Sequence, residues 1–221
     1  TRSLCDWSSD VCSSDLHKNQ GFTLLEILVA LAITGILAAL TLPNLLAWLS
    51  SNKVQQAADS IQSALEDAQR QAIRLGRNCT LNFTNGTGTK PTVYSQITAS
   101  EAGCLVAANA GSLELPQEVF MVVKNFPNVP TTGTSPGVQF SFRGHVSESG
   151  FNFDSLEKQA IIVLYPAANA SAAPYPNQEK KCIVMASLLG IVKQGTYNGD
   201  PLATLDANKC VTRLDGTQIG R

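Results

Sequence analysis

Few side chains in this 221-residue chain could do acid–base, nucleophilic or metal chemistry, since it has two histidines and six cysteines. A serine and a glutamate near His145 are too little to define a catalytic triad, so His145 is interpreted as a turn histidine. Asp200, Asp206 and Asp215 lack the tight acidic alternation of a calcium-binding loop. The sequence therefore predicts a protein that is not an enzyme and that has no cofactor and no bound metal.

Four of the cysteines lie beyond residue 77, at Cys79, Cys104, Cys182 and Cys210. If this part of the chain lies in an oxidising compartment outside the cytoplasm, their even number predicts two disulfide bonds, for which three connectivities exist. The pairs Cys79–Cys104 and Cys182–Cys210 are favoured because each closes a local loop. Zinc coordination by the four thiolates is the alternative, but their spacing lacks the close ligand pairs of structural zinc sites.

One apolar segment dominates the N-terminal part of the chain. Residues 22–42 carry Glu26 as their only charge, and as a helix they would be about 31 Å long, close to the thickness of a bilayer's hydrocarbon core. They are predicted to span a membrane. Residues 1–21 are expected to be a leader with an artefactual start, because residues 5–16 resemble the translation of a sequencing adapter.

An amphipathic helix is predicted to follow the apolar segment. From residue 45 to 73 apolar side chains recur every three or four positions, and Gly76 has the character of a helix C-cap. Pro43 lacks an amide hydrogen, so it is expected to bend the helix where the membrane half meets the amphipathic half. The prediction is one long helix over residues 22–76.

Beyond residue 77 the pattern changes to alternating, β-branched segments separated by turn residues. The expected fold class is α+β, with the long N-terminal helix packed on an antiparallel β-sheet or sandwich that forms a head over residues 77–221. The predicted strands are 79–83, 92–97, 119–123, 138–142, 161–165 and 182–185.

The junction Gly21-Phe22-Thr23-Leu24-Leu25-Glu26, followed directly by the apolar run, resembles the prepilin signature of type IV pilins and type II secretion pseudopilins. Pro43 matches the helix-bending proline of these proteins. Segments 51–54, 67–74, 140–144, 181–184 and 189–195 resemble the GspH/FimT-type minor pseudopilins, in which the C-terminal segments form paired strands.

The resemblance implies a structural minor subunit of a type IV pilus or a type II secretion pseudopilus. A prepilin peptidase would cut after Gly21 and methylate Phe22. The precursor would cross the bacterial inner membrane once, with its head in the periplasm, before entering a fibre. Its partners would be the peptidase, other pilin or pseudopilin subunits and assembly-platform proteins. A plain single-span membrane protein with a ligand-binding head is a rival interpretation.

The position of Glu26 within the apolar segment needs an explanation, because placing a carboxylate inside a bilayer costs a few kcal/mol of free energy. No Lys, Arg or His lies between residues 22 and 52. Cleavage after Gly21 would create an amine on Phe22, four residues away on the same helix face. The pair could form within one chain or between neighbours, and the family favours neighbours. A glutamate favoured by the helix dipole is the alternative.

A second candidate function, that of a pilus-tip DNA receptor in natural transformation, follows from the FimT-like resemblance. Some members bind DNA through basic residues of the C-terminal strand-turn region, where this chain has Ile191 and Gln194 and keeps Lys193. One lysine gives weak, salt-sensitive binding, and a net charge of -1 adds no general attraction. A solvated basic rim is the alternative interpretation of these lysines.

Overall fold

The computed structural model describes residues 22–88, 91–106, 111–128, 135–147, 151, 159–185 and 187–211, without the side chains of residues 40–44. The chain divides into two compact units, Thr1–Asn44 and Leu45–Arg221. The elements in chain order are α1 (Leu24–Leu75), β1 (Cys79–Thr84), β2 (Val93–Tyr94), β3 (Gln96–Ala99), β4 (Ser112–Glu114), β5 (Val119–Lys124), β6 (Gly137–Phe140), β7 (Ala160–Pro166), β8 (Lys181–Met185), β9 (Val192–Tyr197) and β10 (Cys210–Val211).

The helix α1 is 52 residues long and ends where Gly76 adopts a φ of 63°. This left-handed conformation suits glycine and lets the Arg77 amide donate to the Ala72 carbonyl at 3.2 Å. The bend predicted at Pro43 falls on a residue whose side chain lies outside the described ones, so it stays a prediction. The leader residues 1–21 also lie outside the described part of the chain.

The amphipathic half of α1 belongs to the same unit as the head, because one stripe of its side chains is buried there. Five of the eight buried apolar residues in this stripe are alanines, and small side chains let a helix approach a sheet closely. The stripe consists of Val54, Ala57, Ala58, Ile61, Ala64, Leu65, Ala68 and Ala72, each at most 3% exposed.

Two antiparallel sheets make up the head. The first has the strand order β4-β3-β1-β6 and the second the order β10-β9-β8-β7-β5-β2. The expected α+β class with an antiparallel head is confirmed. Two neighbouring strands of the second sheet are buried on both faces, because all seven residues of β7 and all five of β8 are buried.

The strand predicted at 92–97 is wrong in one respect, since the structure breaks it at Ser95. Residues before the break pair with β5 in the second sheet, and residues after it pair with β1 in the first. The Ser95 carbonyl accepts a hydrogen bond from the Leu115 amide at 3.0 Å. The chain thus passes from one sheet to the other at this residue, which a period-two pattern cannot reveal. Strands β4 and β10 were not predicted.

Two separate cores result from this arrangement. The first core lies between the α1 stripe and one face of each sheet, and includes Leu81, Phe83, Phe140, Met121, Ile162, Leu164 and Ile183. The second core covers the opposite face of the second sheet and includes Ile161, Val163, Tyr165, Cys182, Val184, Tyr197, Leu205, Ala207 and Cys210. Alternate residues of β7 therefore belong to different cores, so this strand is apolar at every position.

Candidate assembly site

The start of α1 is built by the residues of the prepilin-like motif. The Thr23 hydroxyl accepts a hydrogen bond from the Glu26 amide at 3.2 Å, and the Thr23 carbonyl accepts the first helical bond from Ile27 at 3.2 Å. Thr23 is therefore the N-cap, and Glu26 stands at the third helical position, so that the sequence Thr-x-x-Glu has the pattern of a capping box. Phe22 and Ile27 stand at the two positions of a hydrophobic staple. This capping signal was legible in the sequence but was not part of the prediction.

Glu26 lies on the solvent-exposed surface of the first helical turn. The three ion pairs of the described residues all lie beyond residue 50 and do not include it. The helix dipole favours a carboxylate at this end. Phe22 is 75% exposed, and Gly21 lies outside the described residues.

The side chains that follow the motif are apolar on every side of the helix and exposed. A helix of this kind needs an apolar environment or neighbouring helices to cover it. The large ones with described exposure are Leu24, Leu25, Ile27, Leu28, Val29, Leu31, Ile33, Ile36 and Leu37.

The span predicted at residues 22–42 includes residues 40–42, whose side chains the structure does not describe. Within the part of the chain that is described, no helix combines the length and the hydropathy that crossing a membrane requires.

The four cysteines of the head form two disulfide bonds, Cys79–Cys104 and Cys182–Cys210. These are the pairs that loop length favoured, and they leave none of the four thiolates for zinc. Both bonds are fully buried, the first in the first core and the second in the second core.

His145 lies in the turn after β6, as a partly buried residue. Its Nδ1 is 3.0 Å from the Ser141 hydroxyl, and the same hydroxyl accepts a hydrogen bond from the Arg143 amide at 3.3 Å. Ser141 was missing from the sequence-based interpretation, which considered a later serine. The contacts of these two residues stay within the turn, as expected of a turn histidine.

Two of the three aspartates considered as calcium ligands accept hydrogen bonds from backbone amides two residues further along the chain. Asp200 accepts a hydrogen bond from the Leu202 amide at 2.9 Å, and Asp206 accepts one from the Asn208 amide at 2.9 Å. Asp215 lies outside the described residues. Among the residues that are described, no group of three or more His, Cys, Asp or Glu side chains is placed to hold a metal ion.

Lys193 is exposed on β9, opposite Val184 of β8. Gln194 lies opposite Ile183 and so belongs to the other face of the sheet, while Ile191 is 50% exposed just before the strand. Lys193 is therefore flanked by Val192 and Gln194 along the strand and by Val184 across it, none of which is basic.

Two models of protein families match different parts of the chain. Residues 16–42 match the family model of the prokaryotic N-terminal methylation motif, and residues 57–170, just over half of the chain, match that of type II transport protein GspH. The type IV major pilin protein PilA of Myxococcus xanthus is 31% identical over 102 residues, which are 45% of this chain and 46% of that protein. The chain thus spans less than half the length of this curated relative.

Solved structures give more distant likenesses. The type IV minor pilin FimU of Pseudomonas aeruginosa has a TM-score of 0.40 and 12% identity, covering 64% of this chain and 87% of that one. The minor pseudopilin EpsH from the type 2 secretion system of Vibrio cholerae has a TM-score of 0.41 and 11% identity, covering 65% and 97%. These scores are too low to support an argument about function. By the extent of its match to the family model, the chain belongs to the type II transport protein GspH family.

Proposed function

We propose that the chain is a structural minor subunit of a type IV pilus or a type II secretion pseudopilus. The observation that carries the proposal is an exposed, all-round apolar helix that begins at a methylation motif and continues into the core of a β-rich head. Such a helix suits an anchor in the inner membrane first and a packed fibre core later. The head then faces the periplasm before assembly.

Cleavage after Gly21 prepares this subunit for assembly. The prepilin peptidase removes the leader, and methylation falls on the new N-terminal amine of Phe22. Thr23 keeps its capping contact with Glu26, so the helix start stays intact after cleavage. The chain then carries one cation and one carboxylate at the tip of an apolar helix.

Glu26 and the Phe22 amine set the position of the subunit in the fibre. A carboxylate placed among apolar helices costs a few kcal/mol unless a cation neutralises it. The amine of a neighbouring subunit supplies that cation only when the two helices are staggered correctly. The ion pair therefore fixes the axial register, and the apolar helix surface supplies the attraction.

The test is the substitution Glu26→Gln, which keeps the shape of the side chain and removes its charge. We expect normal cleavage and a strong loss of the subunit from purified fibres. Glu114→Gln is the matched control, because Glu114 is an exposed carboxylate of the head. Mass spectrometry of the N-terminus measures processing, and immunoblotting of sheared fibres measures incorporation. Normal amounts of the Glu26→Gln variant in fibres would exclude the register role.

The DNA-receptor role is a second candidate, favoured by an exposed cation near an exposed aromatic ring. The Arg143 guanidinium lies 5.3 Å from the centre of the Phe142 ring, and Lys193 is exposed on β9. Binding of short DNA, followed by fluorescence anisotropy at low salt, tests it. Loss of binding in Lys193→Ala would support the role, and the absence of binding by the unaltered chain would end it.

A further inference from the structure

An apolar surface lies where α1 enters the head. Its helix side presents four large apolar side chains that are 43 to 61% exposed, and its loop side comes from the segment between β7 and β8. We call this surface the entry face. Its members are Leu45, Leu46, Trp48 and Leu49 of α1 and Tyr175 and Pro176 of the loop.

A groove of about 530 Å³ runs between the helix side and the loop side of the entry face. The Ser50 hydroxyl of α1 donates a hydrogen bond to the Gln178 side chain of the loop, which ties the two sides together. Lys53 donates to Glu118 at 3.1 Å in the lining of the same groove. These two charges neutralise each other, so the groove needs no charged partner.

The loop side is built by a segment without charged side chains. Residues 166–178 contain no Asp, Glu, Lys, Arg or His, although 15% of the whole chain is charged. The Tyr175 amide donates to the Pro166 carbonyl at 2.9 Å, which folds the loop back on the end of β7. Charged residues are the ones most often exposed to water, so their absence here fits a surface that faces something other than bulk water.

Two members of the entry face are aromatic with a polar group. Tryptophan and tyrosine are enriched where a membrane meets water, because the ring is apolar and its N–H or O–H is polar. Trp48 is 61% exposed and stands three positions after Leu45, on the same side of the helix. Tyr175 is partly exposed on the loop. This composition favours the headgroup region of a bilayer as the environment of the face.

The place of the entry face in the chain favours the same environment. The apolar segment 22–42 ends three positions before Leu45. Three residues span at most about 10 Å even when fully extended, and the headgroup layer on each side of a bilayer is about 5–7 Å thick. When the apolar segment spans a membrane, the first residue of the entry face therefore lies in the headgroup layer or directly beside it.

We propose that the entry face rests on the membrane surface, with phospholipids of the adjacent leaflet as its occupants. The apolar side chains contact the acyl-chain boundary, and the paired Lys53 and Glu118 stay among the headgroups. The inference rests on the proposed function, because the anchor in the inner membrane supplies the bilayer. It adds a second membrane contact, made by a loop of the head itself, which holds the head against the membrane before the subunit enters a fibre.

The anchor makes a small surface sufficient for this contact. The six side chains present on the order of a few hundred Å², which is too little for strong binding of a head from solution. The anchor keeps the face close to the bilayer, so the effective concentration of lipid at the face is high. Binding of a detached head to vesicles is not required.

Tryptophan fluorescence in vesicles tests the contact. The chain has two tryptophans, Trp7 and Trp48, so both are replaced by Phe and each variant carries one new tryptophan. Tyr175→Trp places it in the entry face, and Phe142→Trp is the matched control, because Phe142 is an aromatic residue that is 50% exposed. The full-length chains are reconstituted into phosphatidylethanolamine–phosphatidylglycerol vesicles that contain a lipid with a nitroxide near its headgroup.

The control position lies far from the entry face along α1. Gly144, two positions after Phe142, accepts a hydrogen bond from the Gln69 side chain at 2.5 Å. Gln69 is 20 residues beyond Leu49 in α1, which corresponds to about 30 Å along the helix axis. We expect the nitroxide to quench the Tyr175→Trp variant several-fold more strongly than the Phe142→Trp variant, and the former to emit at a shorter wavelength.

Equal and weak quenching of the two variants, in chains that float with the vesicles, would overturn this inference and leave the anchor intact. Chains that do not float with the vesicles would refute the anchor of the proposed function, and this inference with it. Protection of the Tyr175→Trp variant from both the nitroxide and dissolved acrylamide would mean that protein covers the face, which also overturns the inference. If Tyr175→Trp does not fold by circular dichroism, Pro176→Trp probes the same loop at an exposed position.

Discussion

Tyr165 shows how a single residue of the second core departs from the usual rule that buried polar atoms are hydrogen-bonded. Its side chain is fully buried, and its hydroxyl has no hydrogen-bond partner among the described residues. The hydroxyl therefore contributes a desolvation cost without a compensating bond. Tyr165→Phe should leave the free energy of unfolding unchanged or raise it by about 1 kcal/mol. Urea unfolding followed by circular dichroism measures this, and a loss of more than about 1 kcal/mol would reveal a hidden partner.

The same residue predicts a dependence of stability on alkaline pH. Burial, and secondarily the charge of Asp200, raise the pKa of Tyr165 from 10.0 to about 12. Below pH 10 the phenol is protonated in both the folded and the unfolded chain, so its ionisation does not lower the free energy of unfolding. Between pH 10 and 12 the unfolded chain loses the proton first, and stability falls. Tyr165→Phe should make this fall smaller, while Tyr197, whose pKa burial also raises, should retain its share.

At the scale of elements, the alanines of α1 set the distance between the helix and the sheets. Ala68 is fully buried in the first core, so Ala68→Leu forces extra methylene groups into a filled space. We expect a loss of about 1–3 kcal/mol in the free energy of unfolding. Ser63→Leu is the matched control on the exposed face of the same helix and should change stability by less than about 0.5 kcal/mol. Equal effects of the two substitutions would show that the stripe is not tightly packed.

An element can be predicted from the sequence when its residue pattern depends only on which face of that element is buried. The α1 stripe repeats every three or four residues because one face is buried, and Gly76 marks the helix end as expected. The β9 strand, with the sequence VKQGTY, was implied only by the family resemblance, because Lys193 and Gln194 interrupt its apolar pattern. The break at Ser95 depends on which distant strands supply partners, and a local pattern carries no such information. The hydrogen bonds from the Gln69 side chain to the carbonyls of Gly144 and Leu189 likewise join three segments that only the fold brings together.

At the scale of the whole molecule, each of the two cores contains one disulfide bond. Cys182–Cys210 ties the segment that covers the second sheet to β8, and Cys79–Cys104 ties β1 to the loop after β3. The bonded residues are 28 and 25 positions apart, so the loop-entropy model assigns each bond about 3.5 kcal/mol.

We predict that removing the two disulfides loosens different parts of the head. Cys182→Ser with Cys210→Ser should accelerate amide hydrogen exchange in residues 198–211 and β9, and Cys79→Ser with Cys104→Ser should accelerate it in β1 and β3. Each double variant is the control for the other. Hydrogen-exchange mass spectrometry resolves the segments, and identical exchange maps would mean that the two cores unfold as a single cooperative unit.

The arrangement of the α1 stripe also has a mechanical consequence. Its buried residues run from Val54 to Ala72 along one line, so a tension applied along the helix axis loads all of these contacts together, in shear, instead of peeling them away in succession. Beyond Leu75 the chain transmits the force to the first residue of β1, Cys79, which is joined to Cys104 by a disulfide bond. A head pulled by its helix therefore transmits the load through a parallel set of packing contacts into a cross-linked strand.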